Sequence, residues 1–101
     1  MGLLKNQTYK VPKDVLFQEV GGETVLLDLD TERYFGLDAV GTRVWALINE
    51  GMAVGEVINN LLEEYEVDRA SLESDVEELL GSLREAGLIT PGATDFPAGK
   101  V

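Results

Sequence analysis

The side chains with the most chemistry on offer in this sequence are its carboxylates. They cluster at Glu63-Glu64, Glu66, Asp68 and Glu77-Glu78, and neighbouring carboxylates are what acid–base catalysis or a hard divalent cation would use. The rest of the composition supports neither use. The chain has no His and no Cys. That removes the general base that titrates near neutral pH, the thiolate nucleophile, disulfides, and imidazole or thiolate metal sites. The acidic groups also fall on the polar side of predicted amphipathic helices, where charge runs form a solvated face. Asp28-Leu29-Asp30-Thr31-Glu32 has spaced carboxylates like the start of a calcium loop. It lacks the glycine at the sixth position and the terminal bidentate Glu that such a loop needs. Arg33 and Arg43 could anchor an acidic group, but isolated surface arginines more often make weak surface pairs. No catalytic residue, metal site or cofactor is expected.

The bulk properties narrow the class further. At 101 residues with 45% hydrophobic content, the chain has material for one domain and one core. No apolar run approaches the ~20 residues that a bilayer-spanning helix requires. Met1-Gly2-Leu3-Leu4-Lys5 has no apolar block of signal-peptide length, so a soluble cytoplasmic protein is expected. Eight basic residues against nineteen acidic ones leave a net charge of −11. Such a field repels nucleic-acid backbones and favours a basic partner, or simply solubility.

Residues 1–13 read as a loose arm interrupted by Pro12. Val15 to Val20 reads as a strand, and Gly21-Gly22 suits a two-residue hairpin. Glu23 to Leu29 returns, with Val25, Leu27 and Leu29 on one face and Thr24, Leu26 and Asp28 on the other. Asp30-Thr31-Glu32 is turn material. Arg33 to Leu37 completes an antiparallel meander whose last strand has a free edge. On that strand Tyr34 and Phe35 point to opposite faces, so one belongs to the core and the other lies on the surface or lines a groove.

Three helices follow. The first runs from about Asp38 to Glu50, with Asp38 or Thr42 as N-cap and Gly51 as terminator. Val40, Val44, Trp45, Leu47 and Ile48 give it an apolar face, and Trp45, the only tryptophan, is placed at the centre of the core. Val54, Val57, Ile58, Leu61, Leu62 and Tyr65 mark a second amphipathic helix whose start, at Ala53, has no capping side chain. Val67 to Ala70 reads as a connector. The third helix is expected to begin at Ser71 as N-cap, with Glu73 and Asp75 in its first turn. Its stripe is Leu72, Val76, Leu79, Leu80 and Leu83. Gly87 sits where a C′ residue belongs, with Leu83 and Leu88 in contact across it. Gly81 in mid-helix marks either an exposed, relaxed position or a close packing contact. Residues 91–101 have the composition of a flexible tail.

The stretch Tyr34-Phe35-Gly36-Leu37-Asp38 leads into Val40-Gly41-Thr42-Arg43-Val44-Trp45-Ala46-Leu47. It is a short strand followed by a small-residue turn of the type (Thr/Val)-Gly-x-x-(Ile/Val)-Trp-x-Leu. Two further helices then end at Gly87-Leu88-Ile89. This ordered set, spanning about Val15 to Ile89, resembles the PqqD family of precursor-peptide recognition elements, and most closely its free-standing leader-binding members in lasso-peptide biosynthesis.

The resemblance implies an α+β, winged-helix-like domain over residues 14–90: a three-stranded antiparallel sheet followed by three helices. It also implies a non-catalytic module. The leader of a ribosomally made precursor would lie antiparallel along Thr31, Glu32, Arg33, Tyr34, Phe35 and Gly36. Its apolar side chains would enter a groove against Asp75, Val76, Leu79 and Leu83 of helix three. A maturation enzyme, the leader peptidase in a lasso-peptide system, would be the second partner, and a monomer is expected rather than a homodimer. The mechanism is physically sound in its own right, since an uncovered edge strand offers unpaired N–H and C=O groups to an added strand. The competing readings are a winged-helix transcription factor and an acidic adaptor without a groove. The first fails on charge: helix three carries Arg84 against Glu73, Asp75, Glu77, Glu78 and Glu85.

Overall fold

Gly21 and Gly22 adopt positive φ of 63° and 85°, which lets the chain reverse in two residues and sets the register of the sheet. The computed structural model describes residues 5–92; of the tail expected over 91–101, residues 93–101 lie outside them, while Pro91 belongs to a short strand and Gly92 bonds Thr8, so the tail begins later than composition suggests. In chain order the elements are β1 (Tyr9–Lys10), β2 (Val15–Val20), β3 (Glu23–Asp28), β4 (Arg33–Leu37), α1 (Ala39–Asn49), α2 (Val54–Glu64), α3 (Arg69–Glu85) and β5 (Thr90–Pro91). Strands β2-β3-β4 form one antiparallel sheet in that order, and β1 and β5 form a separate pair. A three-stranded antiparallel sheet followed by three helices is the α+β order expected.

α1 lies across β3 and β4 and carries Val44, Trp45, Leu47 and Ile48 into the core. Val54, Val57, Ile58 and Leu61 of α2 join them, as do Leu72, Val76, Leu80 and Leu83 of α3. The face of β3 that packs inward is Thr24, Leu26 and Asp28, all buried, while Val25 and Leu29 are exposed. The more apolar set is thus the outer one. Local chemistry explains why the inner face tolerates its polar residues. Thr24 donates its hydroxyl hydrogen to Thr42 Oγ1 of α1 at 2.9 Å. Asp28 Oδ1 accepts from the Asp30 N–H at 3.0 Å, so both of these buried side chains have a partner.

Two expectations are corrected. α3 begins at Asp68, whose carboxylate accepts from the Ser71 N–H at 3.1 Å. Ser71 is therefore inside the first turn, and Val67–Ala70 is not wholly a connector. A carboxylate at N-cap is at least as good an acceptor as a serine hydroxyl, and Arg69 is held by Asn59 and Glu73.

The arm is also less free than its composition suggests. Ala53 cannot cap α2, and backbone of the arm does so instead: Gln7 O accepts from Val54 N at 3.0 Å and Lys5 O from Gly55 N at 2.9 Å. A Cβ at Gly55 would stand 3.2 Å from Lys5 O, so the close approach relies on glycine. Tyr9 and Lys10 pair with Pro91 and Thr90, and Gly92 N donates to Thr8 O at 2.8 Å. Deleting residues 1–8 is accordingly expected to cost about 1–3 kcal/mol by exposing two α2 donors and removing the Thr8–Gly92 bond beside the β1–β5 pair. Urea denaturation of the shortened chain would measure it; an unchanged midpoint would mean the arm is only apposed.

Both helix ends predicted to stop at glycine do so. At α3, Gly87 (φ 77°) donates to Arg84 O at 3.0 Å and Leu88 N to Leu83 O at 2.9 Å, the two bonds of a Schellman cap. Leu83 and Leu88 are buried together beneath it. Gly81 resolves to the relaxed alternative: it is exposed and an added Cβ meets nothing within 4 Å. Gly81→Ala should therefore stabilise the domain by about 1 kcal/mol through helix propensity and a less mobile unfolded chain. A thermal melt that falls instead would reveal a contact at that position.

Candidate functional site

β4 is an outer strand of its sheet, and the hydrogen-bond parity along it follows from one bond. Leu29 N donates to Asp14 O at 2.8 Å, so odd-numbered residues of β3 bond toward β2. By the alternation of an antiparallel ladder, Thr24, Leu26 and Asp28 bond toward β4. Their register partners are Leu37, Phe35 and Arg33. The N–H and C=O groups of Tyr34 and Gly36 consequently point away from the sheet, along an uncovered edge.

Beside that edge lies a groove of about 590 Å³ between the β4–α1 junction and α3. Asp38 makes the junction. Its carboxylate accepts from Gly41 N at 2.8 Å, capping α1 and turning the chain out of the sheet. One wall is then Leu37, Val40, Gly41 and Val44; the other is the α3 stripe Asp75, Val76, Glu78, Leu79 and Ser82. Gly36 leaves the end open toward β4, because a Cβ there would meet nothing within 4 Å. The floor is apolar: Leu37, Val44 and Val76 are buried, and Val40 and Leu79 half-buried. The rim is acidic, with Asp75 and Glu78 exposed and making no ion pair among the described residues.

The strongest ion pair lies elsewhere. Arg43 donates from Nε to Glu64 Oε1 at 2.9 Å and from Nη2 to Oε2. This side-chain hydrogen bonding raises the arginine pKa and lowers that of Glu64. A carboxylate depressed in the folded state stabilises it above the unfolded pKa, and the contribution fades as pH falls through the carboxylate range. The pair is solvent-exposed, so that contribution is small. It joins α1 to α2 and is structural.

Of the residues singled out on the chain, Gly36, Asp75, Val76 and Leu79 meet at the groove. Phe35 turns inward against the core, with the Arg33 guanidinium 5.9 Å from its ring centroid. Tyr34 is 72% exposed on the opposite face of the sheet, so its backbone, not its ring, faces the open edge. Thr31 and Glu32 belong to the turn before β4; Glu32 has φ 61° and donates to Asp28 O at 2.7 Å. Leu83 is buried against the α3 cap and does not line the groove. The lining residues not singled out as such are Leu37, Asp38, Val40, Gly41, Val44, Glu78 and Ser82. Glu78 and Ser82 follow Asp75 at i+3 and i+7, a spacing that places them on its helix face.

Residues 23–89 match the family model described as coenzyme PQQ synthesis protein D (PqqD). The chain belongs to the PqqD family. Two solved structures resemble this PqqD-family chain over most of its length. One is TbiB1 in complex with the TbiA(beta) leader peptide. It is 40% identical with a TM-score of 0.77, and the match covers 85% of this chain and 99% of that one. The other is a lasso peptide synthetase B1 complexed with the leader peptide. It is 26% identical with a TM-score of 0.76, over 82% of this chain and 98% of that one. A comparison with curated proteins finds no match.

Proposed function

We propose that this protein is a non-catalytic recognition module for the leader segment of a ribosomally synthesised precursor peptide of the lasso class. The leader adds to β4 as an antiparallel strand and is thereby presented to a processing enzyme, the leader peptidase. The observation that carries this reading is a coincidence of two features. The outward backbone groups of Tyr34 and Gly36 lie beside an apolar-floored groove that Gly36 leaves open. Main-chain bonds supply affinity and the pocket selects alternate side chains. Both similar structures are described with a leader peptide, which supports the same occupant here. The module acts as a cytoplasmic monomer; no helix among the described residues is long and apolar enough to cross a membrane. A net charge of −11 and an acidic α3 argue against duplex DNA as the ligand.

The direct test is titration of the precursor's leader while following backbone amide shifts. The amides of Tyr34, Gly36 and Leu79 should move, and those of β2 should move far less. Leu79→Ala is expected to weaken leader binding about tenfold, or ~1.4 kcal/mol, through lost apolar contact in the groove. Parental affinity in that variant would place the leader's side chains somewhere else.

A further inference from the structure

The rim of the groove beside β4 is negative on both walls. Asp38 stands on the α1 side, and Asp75 and Glu78 on α3; all three are exposed. Asp38 is engaged by the Gly41 N–H as the cap of α1, but Asp75 and Glu78 make no ion pair among the described residues. They are like charges three residues apart on one helix, an arrangement that weakens the helix. Nothing on α3 relieves it, since the positions three and four residues to either side hold Ser71, Leu72, Ser74, Leu79, Gly81 and Ser82. Bases elsewhere serve other acids. Lys5 and Arg69 meet Glu73, Arg43 meets Glu64, and Arg84 borders a separate hollow with Gly81 and Glu85. We infer that the groove takes a lysine or arginine of the leader, and that Asp75 and Glu78 are the residues that select it. This deepens the reading of the chain as a leader-binding module and rests on it.

The combination of floor and rim, not the carboxylates alone, specifies that side chain. Val40, Val44 and Leu79 make the floor apolar. A long basic side chain lays its aliphatic stem on such a surface and carries its charge to the edge. A purely apolar side chain would fill the floor and leave both carboxylates without a counter-charge. A short polar one would leave the floor bare. The parity of β4 gives the place of the base. Gly36 offers its N–H and C=O outward, while Leu37 is buried toward the helices. In an antiparallel guest the side chain opposite Leu37 turns to that same face. The base is therefore the leader residue immediately before the one bonded to Gly36. Main-chain bonding supplies affinity for extended peptides in general. The acidic rim adds discrimination, because a leader with a carboxylate at that place meets like charge.

The test uses the full chain and a synthetic peptide of the leader from its own system. Affinities of that leader, and of versions with each Lys or Arg in turn replaced by Gln, are measured for the parent and for Asp75→Asn/Glu78→Gln. One basic position is expected to stand out. Its replacement should weaken binding to the parent about fivefold and binding to the variant less than about twofold, the signature of a direct pair in a double-mutant cycle. The unmodified leader should bind the variant about fivefold more weakly than the parent, and added salt should narrow that gap. The variant should melt at or slightly above the parental temperature, because the like-charge pair on α3 is gone. If it melts early instead, the single Glu78→Gln carries the same comparison. Parental affinity in the variant, or no basic position that matters more to the parent than to the variant, overturns the inference and leaves the proposed function standing. A leader that fails to move the amides of Tyr34 and Gly36 defeats the proposed function, and this inference with it.

Discussion

A proline at Tyr34 is expected to abolish leader binding and leave the fold standing, while a proline at Phe35 does the reverse. Proline removes the backbone donor and holds φ near −65°, so its effect depends on where that donor points. The Tyr34 N–H faces the open edge, and an edge strand tolerates proline on its solvent side. There the substitution removes a donor meant for the guest strand and sets a ring in its path. Affinity should fall at least tenfold, ~1.4 kcal/mol or more. Phe35 lies opposite Leu26 and bonds toward β3, so proline there breaks a ladder bond and removes a half-buried aromatic. A loss of about 3 kcal/mol or more is expected. Arg33→Pro should follow Phe35 with a smaller loss, since its side chain is exposed. Glu32 stands outside the alternation, because its φ of 61° excludes proline on its own account. Matched alanines at each position separate side-chain from backbone effects. The checks are a thermal melt and a leader titration of each variant. If folded Tyr34→Pro binds leader at parental affinity, no strand is being added to β4.

Trp45→Ala is expected to unfold the domain or nearly so. Trp45 is 2% exposed and belongs to the core cluster to which all three helices contribute, and its ring meets Phe17 edge-on at 5.4 Å and 76°. Truncating a buried aromatic costs about 3–5 kcal/mol, a large share of the ~5–15 kcal/mol that holds a domain together. Phe17 itself is 50% exposed, so one side of the tryptophan is sheltered only by a surface ring. Loss of the indole would leave Phe17 without its partner on the sheet's inner face. Glu77 on the exposed side of α3 is the contrasting case, and its alanine variant should stay within about ±0.5 kcal/mol of the parent. Chemical denaturation of both variants gives the comparison. A tryptophan variant with the parental midpoint would put the centre of the core elsewhere.

What the sequence by itself determined is what local chemistry controls. The two-glycine hairpin, the glycine stops at 51 and 87, and the periodicity of α2 each depend on residues close together along the chain. They were legible for that reason. Part of the groove was named too, since the family resemblance put Asp75, Val76 and Leu79 of the third helix against the edge strand, and all three line it. Ser71 misled because Asp68, three residues earlier, offered an equally good local signal, and choosing between two good caps is not a local matter. The tertiary structure decided everything that needed a distant partner. Thr24 is inside because Thr42 is there to accept its hydroxyl hydrogen, and alternation alone marked Val25 and Leu27 as the apolar set. The arm is held because α2 lacks a cap and Lys5 and Gln7 supply one fifty residues away in sequence. The rotation of α3 puts Leu79 at the groove and Leu83 under the helix cap, a choice made by packing against α1 and Leu88. Which of Tyr34 and Phe35 offers its backbone to a guest depends on the parity of bonds between β2 and β3. That parity is a property of paired strands, and no single strand carries it.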